Sequence, residues 1–259
     1  MKIKSKTLAY DGKKYFESWH RSVINKEFSD RVTISPTFSE LGTKYHYNAV
    51  ENLLIEYFYD TEVVDNPHVF DIGSGAGHWI EFYKTYFNSA YSLGVEISEP
   101  CYDMLVKKFE QDESVDFMLG DVSSTDFKLD KKFDIINAIG VIFHIVDDAA
   151  WYVAMNNLMK LLNKGGVIIV GGEFGDKTYN AQFNKTNDFD TWDERQKAWD
   201  EFHNTEDESV FVNKRLRSIA DWEKCAKENN LKIKEIVKQN ISKLIQTPQN
   251  NILVLTKVD

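Results

Sequence analysis

The segment VFDIGSGAGHW, residues 69–79, ends an apolar run in an acid, Asp71, and then sets Gly73, Gly75 and Gly77 at alternate positions, with Ser74 between them. Glycine permits a tight turn and lets a ligand approach the backbone closely. A helix starting just after offers free N–H groups and partial positive charge to a carboxylate or phosphate. The spacing is G-x-G-x-G. A dinucleotide fingerprint, G-x-G-x-x-G, read from Gly73 would need glycine where His78 stands. Glu96 ends the next apolar run, 19 residues after Gly77, where a carboxylate can accept hydrogen bonds from a ribose diol. Asp121 follows a third run in GDVSS, placed for the exocyclic amine of an adenine.

These residues need strands to hold them, and the pattern supplies strands. Short apolar runs at 68–73, 90–97, 115–120, 133–140 and 166–172 alternate with the helix-like segments HWIEFYKTYF, CYDMLVKKFEQ and AAWYVAMNNLMKLL. Such alternation predicts βαβ units and a parallel sheet. A further helix, SIADWEKCAKENN, precedes two last runs at 231–239 and 251–258, joined closely enough for an antiparallel pair. Residues 1–66 read as a helical prelude: YFESWHRSVINKEF, a polar turn-rich stretch SDRVTISPTFSELGTKYHYN, then a second helix from AVENLLIEYFYD with Val50, Leu53, Leu54 and Tyr57 on one face. Residues 173–213 interrupt the rhythm after the fifth run. Nine acids against two bases fall within 186–208, and Trp192, Trp199 and Phe202 sit at near-helical spacing, which predicts an amphipathic helix. Insertions this long in compact domains are usually lids or binding elements.

With the glycine turn, VEIS, GDV and FDIINAIG in this order, and LLNKGGVIIVGG after them, the sequence resembles the class I S-adenosylmethionine-dependent methyltransferase family over residues 67–258. The resemblance implies a seven-stranded, mostly parallel Rossmann-like α/β sheet with helices on both faces, an antiparallel last strand, an N-terminal helical extension (1–66) and an acceptor-covering insertion (173–217) in the cofactor domain 67–259. It implies S-adenosyl-L-methionine as methyl donor and S-adenosyl-L-homocysteine as product. Carried onto matching positions, Asp71 lies near the methionine amino group, and Gly73, Ser74, Gly75 and Gly77 line the methionine and ribose. Glu96 holds the ribose hydroxyls beside Ile97, Asp121 and Val122 flank the adenine, and Asn137 and Ala138 stand behind the sulfonium.

Methyl transfer from a sulfonium is an in-line displacement in which positioning does much of the work. An oxygen or nitrogen nucleophile can also need a general base, for which His is the usual residue. The candidates are His144 in GVIFHIVDD, His46 between Tyr45 and Tyr47 in KYHYN, and Glu173 in GGEFGD, with His203 in the acidic insertion the least favoured. Asp147 and Asp148 invite a Mg²⁺ reading. Adjacent acids before a helix more often serve as its cap and first turn, so no metal is expected. Arg215 or Arg217 of KRLR is a candidate for holding an acceptor carboxylate or phosphate.

Composition narrows the acceptor. The chain has 259 residues, enough for one large domain, and carries 41 acids against 31 bases for a net charge of −10. That balance makes a poor partner for nucleic acid. The NPPY-like motif of amino-methylating nucleic-acid enzymes is absent from NAIG. The first 28 residues carry seven basic and three acidic groups, too few for a phosphate-tracking surface. The two appended regions are rich in aromatics and suit a covered small-molecule pocket. The expected function is therefore methyl transfer to a small molecule, at oxygen in preference to nitrogen or sulfur. The alternatives are a protein or RNA acceptor, or a cofactor-binding protein without catalysis. Cys101 and Cys225 form no disulfide framework or metal knuckle, and neither a secretory leader nor a membrane span is read, so a cytoplasmic location is expected.

Overall fold

The computed structural model describes residues 11–24, 28–30, 33, 39–61, 64–181, 214–238 and 251–258. Its centre is a seven-stranded sheet. The strands are β1 (His68–Ile72), β2 (Tyr91–Glu96), β3 (Val115–Leu119), β4 (Phe133–Ala138), β5 (Leu162–Gly172), β8 (Leu231–Val237) and β9 (Asn251–Lys257), in the order β3-β2-β1-β4-β5-β9-β8. β1 to β5 pair in parallel, and β9 runs antiparallel to both β5 and β8. This is a Rossmann-like sheet with the antiparallel strand that the sequence predicts. A second, two-stranded sheet pairs β6 (Tyr179–Ala181) with β7 (Lys214–Leu216) at the two roots of the insertion. The run 182–213, including Trp192, Trp199, Phe202 and His203, lies outside the described residues.

The two-residue period of the strands sorts side chains to the two faces. Phe70 and Ile72, with Phe133, Ile136, Ile168 and Leu253, build one core layer. It is covered by α5 (Asp148–Leu161) and α6 (Ile219–Glu228) through Trp151, Met155, Leu158 and Trp222. Val69, Ile135, Val167, Ile169 and Val254 build the other layer. It lies under α2 (Glu40–Tyr59) and α3 (His78–Phe87) through Val50, Leu54, Tyr57, Trp79 and Tyr83. Burial on both faces is why these strands read as continuous apolar runs.

Local signals set the helix ends. Ser39, Asp147 and Ser218 cap α2, α5 and α6 by accepting from the backbone N–H groups of Gly42, Ala150 and Asp221. Asn88, at φ 49°, closes α3 in the left-handed region. α1 (Gly12–Val23) is capped by Asp11, and α4 (Glu99–Lys108) has proline in its first turn. One expectation is corrected. The helix that the apolar stripe places at AVENLLIEYFYD begins at Glu40, nine residues earlier than the sequence reading, because Ser39 supplies the cap. KYHYN is therefore helical, with His46 and Tyr47 buried and Tyr45 at the surface.

Phe133 has no exposed surface and stacks on Phe70, with ring centroids 5.0 Å apart and planes 26° apart. Phe133→Ala leaves a ring-sized hole between β1 and β4. It is expected to lower unfolding free energy by about 3–5 kcal/mol with little change in the denaturant slope, as read from urea titration.

Candidate functional site

All three glycines of the turn after β1 have positive φ: 64° at Gly73, 56° at Gly75 and 88° at Gly77. Space is equally restrictive at the two outer ones. A Cβ on Gly73 would stand 2.5 Å from Val141 Cγ2, and one on Gly77 would stand 2.6 Å from Phe109 Cε2. Backbone bonds pin the turn: Gly73 N–H donates to Val95 O at 2.7 Å and Gly77 N–H to Ser74 O at 2.7 Å. The Gly75 carbonyl accepts from the Cys101 thiol at 3.0 Å, and that of Ala76 from the Lys108 ammonium at 2.7 Å.

Glu96 lies at the end of β2 and is buried. Its Oε2 accepts from Gly75 N–H at 3.2 Å, and its Oε1 from Ile97 N–H at 2.9 Å and Ser98 N–H at 3.0 Å. Burial raises its pKa, and the bonds from Ser98, Gly75 and Ile97 oppose the rise.

Asp71 and Asn137 face each other across β1 and β4, both without exposed surface. Asn137 Nδ2 donates to Asp71 Oδ1 at 2.8 Å, and Tyr83 Oη donates to Asn137 Oδ1 at 3.2 Å. Asp71 Oδ2 has no hydrogen-bond partner among the described residues. Burial pushes the Asp71 carboxyl up to about 7, against the bonds from Asn137 and Ser74, and the charge of Glu96 adds to the rise.

A cavity of about 390 Å³ opens at the carboxyl ends of the strands. Of the residues singled out in the sequence, Gly73, Ile97, Asp121, Val122, His144 and Asp147 line it. Asp121 is exposed, and its Oδ1 accepts from Ser123 N–H at 2.8 Å and Ser123 Oγ at 2.6 Å. His144 ends a short 3₁₀ turn (Ile142–His144) after β4 and is half-buried. The opposite wall is α1, through Gly12, Lys13 and Phe16 with its cap Asp11. Phe16 meets the His144 ring edge-on, centroids 5.0 Å apart at 84°.

The remaining candidates stand apart from that lining. His46 is buried on α2 beside Tyr47, and Glu173 accepts from Tyr179 Oη at 2.5 Å. Asp147, which does line the cavity, caps α5. Asp148 accepts from Arg215 Nε and Nη2 at 2.9 and 3.1 Å, and from Arg217 Nη2 at 2.9 Å. Burial would raise the Asp148 pKa, but the bonds from Arg215 and Arg217 hold it below its ordinary value. Arg217 also lies over the Trp151 ring at 4.1 Å. Both arginines and Asp148 therefore serve one ion-pair node.

The family model described as a methyltransferase domain matches residues 69–166. Solved structures share the fold at low identity. An S-adenosylmethionine-dependent methyltransferase from Clostridium acetobutylicum has 16% identity and a TM-score of 0.57, covering 96% of this chain and 99% of that one. N-methyltransferase NodS from Bradyrhizobium japonicum, bound to S-adenosyl-L-homocysteine, has 14% identity and a TM-score of 0.55, covering 93% and 96%. Magnesium protoporphyrin IX methyltransferase from Synechocystis, also with that product bound, has 14% identity and a TM-score of 0.58, covering 95% and 100%. No curated protein sequence matches the chain. Residues 69–166 thus carry a methyltransferase domain, on a fold shared with S-adenosylmethionine-dependent methyltransferases.

The donor set of this methyltransferase suits its cofactor. A turn built on left-handed glycines, a cavity beside Ile97 and Asp121, and an inward carboxylate with an unpartnered oxygen are complementary to an adenosyl group carrying an amino acid. Sequence reasoning missed the α1 wall. Gly12, Phe16 and His20 recur every four residues, the one signal that they share a helix face. It also missed His78, whose ring stacks on Tyr47 at 3.5 Å, with Nδ1 3.1 Å from Asp30 Oδ2 and Nε2 2.8 Å from Glu51 Oε1. His78 ties the N-terminal elements to the glycine turn.

Asp71 generates a pH dependence. Unfolded, its carboxyl ionises near 3.8, whereas folded it keeps its proton to about 7. Between those values the native state holds the extra proton, so stability falls as pH rises, with a slope approaching about 1.4 kcal/mol per pH unit from this group. Denaturant titrations of the ligand-free enzyme should show this loss from pH 4 to 7 relative to Asp71→Asn, and the two curves should run parallel above pH 8. A bound ammonium beside Asp71 favours its ionised form. Affinity for S-adenosylhomocysteine should therefore rise with pH through the same window and level off above it, as measured by calorimetry.

Proposed function

We propose that this methyltransferase methylates a small-molecule acceptor at oxygen, with His144 as the general base. The observation that carries the reading is the pairing of Phe16 and His144 across the cavity mouth, centroids 5.0 Å apart. α1 lies over the carboxyl ends of the strands, and a site covered in this way suits a ligand that is enclosed, not a polymer laid across a surface. The net charge of −10 weighs against nucleic acid. Among the fold neighbours, one is named for transfer to nitrogen and another for magnesium protoporphyrin IX, an acceptor of small-molecule size. Oxygen is favoured because a hydroxyl must lose its proton as it attacks, whereas a neutral amine attacks first. A histidine at the mouth answers the former need.

The cofactor supplies an electrophilic methyl on a sulfonium. In this reading Asp121, Val122 and Ile97 flank the adenine and Glu96 takes a ribose hydroxyl. Asp71 and the turn Gly73, Ser74, Gly75 and Gly77 hold the methionine end, backed by Asn137 and Ala138. His144 takes the acceptor's hydroxyl proton as the oxygen–carbon bond forms. The bound donor would give up its methyl with the bonding electrons kept by sulfur, and would leave as S-adenosylhomocysteine. Residues 1–66 act as the cover of a cofactor domain spanning 67–259, and 173–217 complete the acceptor side. Glu173 and His46 keep supporting roles in this reading, Glu173 through its bond from Tyr179 and His46 within the α2 packing. Both cysteines are free and buried, which suits a reducing, cytoplasmic setting. Among the described residues no helix is long and apolar enough to cross a membrane.

The test is methyl transfer from labelled S-adenosylmethionine to a cell extract divided into small-molecule, protein and RNA fractions. Label is expected in the small-molecule fraction, in products that resist the mild acid and base that cleave methyl esters. Label confined to protein or RNA would overturn the acceptor class. With an acceptor in hand, His144→Ala should lower kcat by about 10²–10⁴-fold while leaving S-adenosylhomocysteine affinity within about threefold. An unchanged kcat would remove the base from the mechanism.

A further inference from the structure

We infer that His20 of α1 is a second holder of the cofactor's ribose diol, opposite Glu96. The inference rests on the reading above that Glu96 takes a ribose hydroxyl, and it begins from what Glu96 has left to give. An ionised carboxylate offers about four lone-pair sites. Three of them accept backbone N–H groups from Gly75, Ile97 and Ser98. One site remains, and a diol presents two hydroxyls.

The other partner is within reach. His20 is only 3% exposed, and neither of its ring nitrogens has a hydrogen-bond partner among the described residues. Such groups are rare in folded proteins, because burial removes water from them without replacement. A ring nitrogen of His20, a carboxylate oxygen of Glu96 and the Cys101 sulfur all lie within 4.8 Å of one another. A hydroxyl at about 2.8 Å from each of two polar atoms bridges a gap of that size without strain. α1 aims the ring there. Gly12 and Phe16 line the cavity, and His20 is the next residue on that face, one turn further along the helix. Burial pushes the ring's pKa down to about 4, so at neutral pH it is uncharged. A neutral imidazole carries one N–H donor and one acceptor nitrogen, which matches a hydroxyl in either sense.

The same three atoms could be read as ligands for a divalent cation, but their present bonding favours the diol. Cys101 keeps its proton, since burial and the charge of Glu96 raise its pKa, and it donates that proton to the Gly75 carbonyl at 3.0 Å. A cation would have to break that bond and displace the proton. A hydroxyl needs neither.

The experiment is a thermodynamic cycle by calorimetry on the full chain. S-adenosylhomocysteine and its 2′-deoxy and 3′-deoxy analogues are titrated into wild type, His20→Phe and His20→Gln. Wild type should bind the natural compound more tightly than each deoxy analogue. His20→Phe should bind the natural compound about tenfold more weakly than wild type, yet bind one of the deoxy analogues with wild-type affinity. His20→Gln, which keeps a donor and an acceptor, should recover part of the loss, and it serves in place of His20→Phe if that variant does not fold. Equal weakening of all three ligands, or no weakening at all, would overturn the inference while leaving the cofactor site intact. Failure of wild type to bind S-adenosylhomocysteine would overturn the cofactor reading and this inference together. Micromolar Zn²⁺ binding that depends on His20 and excludes S-adenosylhomocysteine would assign the cluster to a metal instead.

Discussion

The Glu96 carboxylate joins the two turns on which the site is built. It reaches back from the end of β2 to the Gly75 N–H, and forward to the first two amides of its own turn, Ile97 and Ser98. Bonds from N–H groups to an ionised acceptor are roughly twice as strong as neutral ones, and here they act where water is excluded. The turn's carbonyls are answered separately, Gly75 by Cys101 and Ala76 by Lys108, both from α4. The loop between β1 and α3 thus has acid on one side and donors on the other. Its left-handed glycines keep it narrow enough to sit between them. Without the carboxylate, three amides would be buried unpaired and the turn would lose its reference to β2.

The fold bears a stability penalty at this end of the sheet. Strand residues that elsewhere read Val, Ile or Leu become Asp71, Glu96 and Asn137 at the carboxyl ends of β1, β2 and β4. The Asn137 amide, itself held by the Tyr83 hydroxyl, answers one oxygen of Asp71 and leaves the other without a partner among the described residues, and burial drives the carboxyl toward its neutral form. A group held this way is poorly matched to the empty protein and well matched to a cation arriving beside it. Strain of this kind persists because the surrounding apolar layers overdetermine the geometry.

This division also decides what the sequence discloses. The strands were legible because each is buried on both faces and separated from the next by an amphipathic helix, a pattern local to 20 or so residues. Asp71, the glycines, Glu96 and Asp121 were legible for the same reason: each terminates or follows such a run. β6 and β7 were not, since three-residue strands carry no period and their pairing joins Tyr179 to Leu216 across the whole insertion. Nor was the fate of Arg215 and Arg217, whose charge looks available until Asp148, 67 and 69 residues away in sequence, is found beside them. KYHYN misled because a polar, aromatic pentapeptide resembles a loop. Tertiary packing of Tyr47 on His78 overrides that appearance.

The cover is the least locally encoded part of the site, and its hold on the domain is uneven. Arg21 and Glu99 form an ion pair at 3.1 Å with both side chains more than half exposed, which contributes on the order of 0–1 kcal/mol. Phe16 against His144 adds a ring contact, but His20, the most deeply buried polar group of α1, opposes closure while its nitrogens lack partners. The closed helix is therefore held by modest attractions and resisted by one desolvated ring. A hydroxyl that meets His20 relieves that resistance only when α1 is down. Ligand binding and closure then share one free-energy term, and each favours the other by the same amount. In the function proposed above, a cover held in this way would admit the methyl donor and close over it, which a helix fastened by a full apolar face could not do.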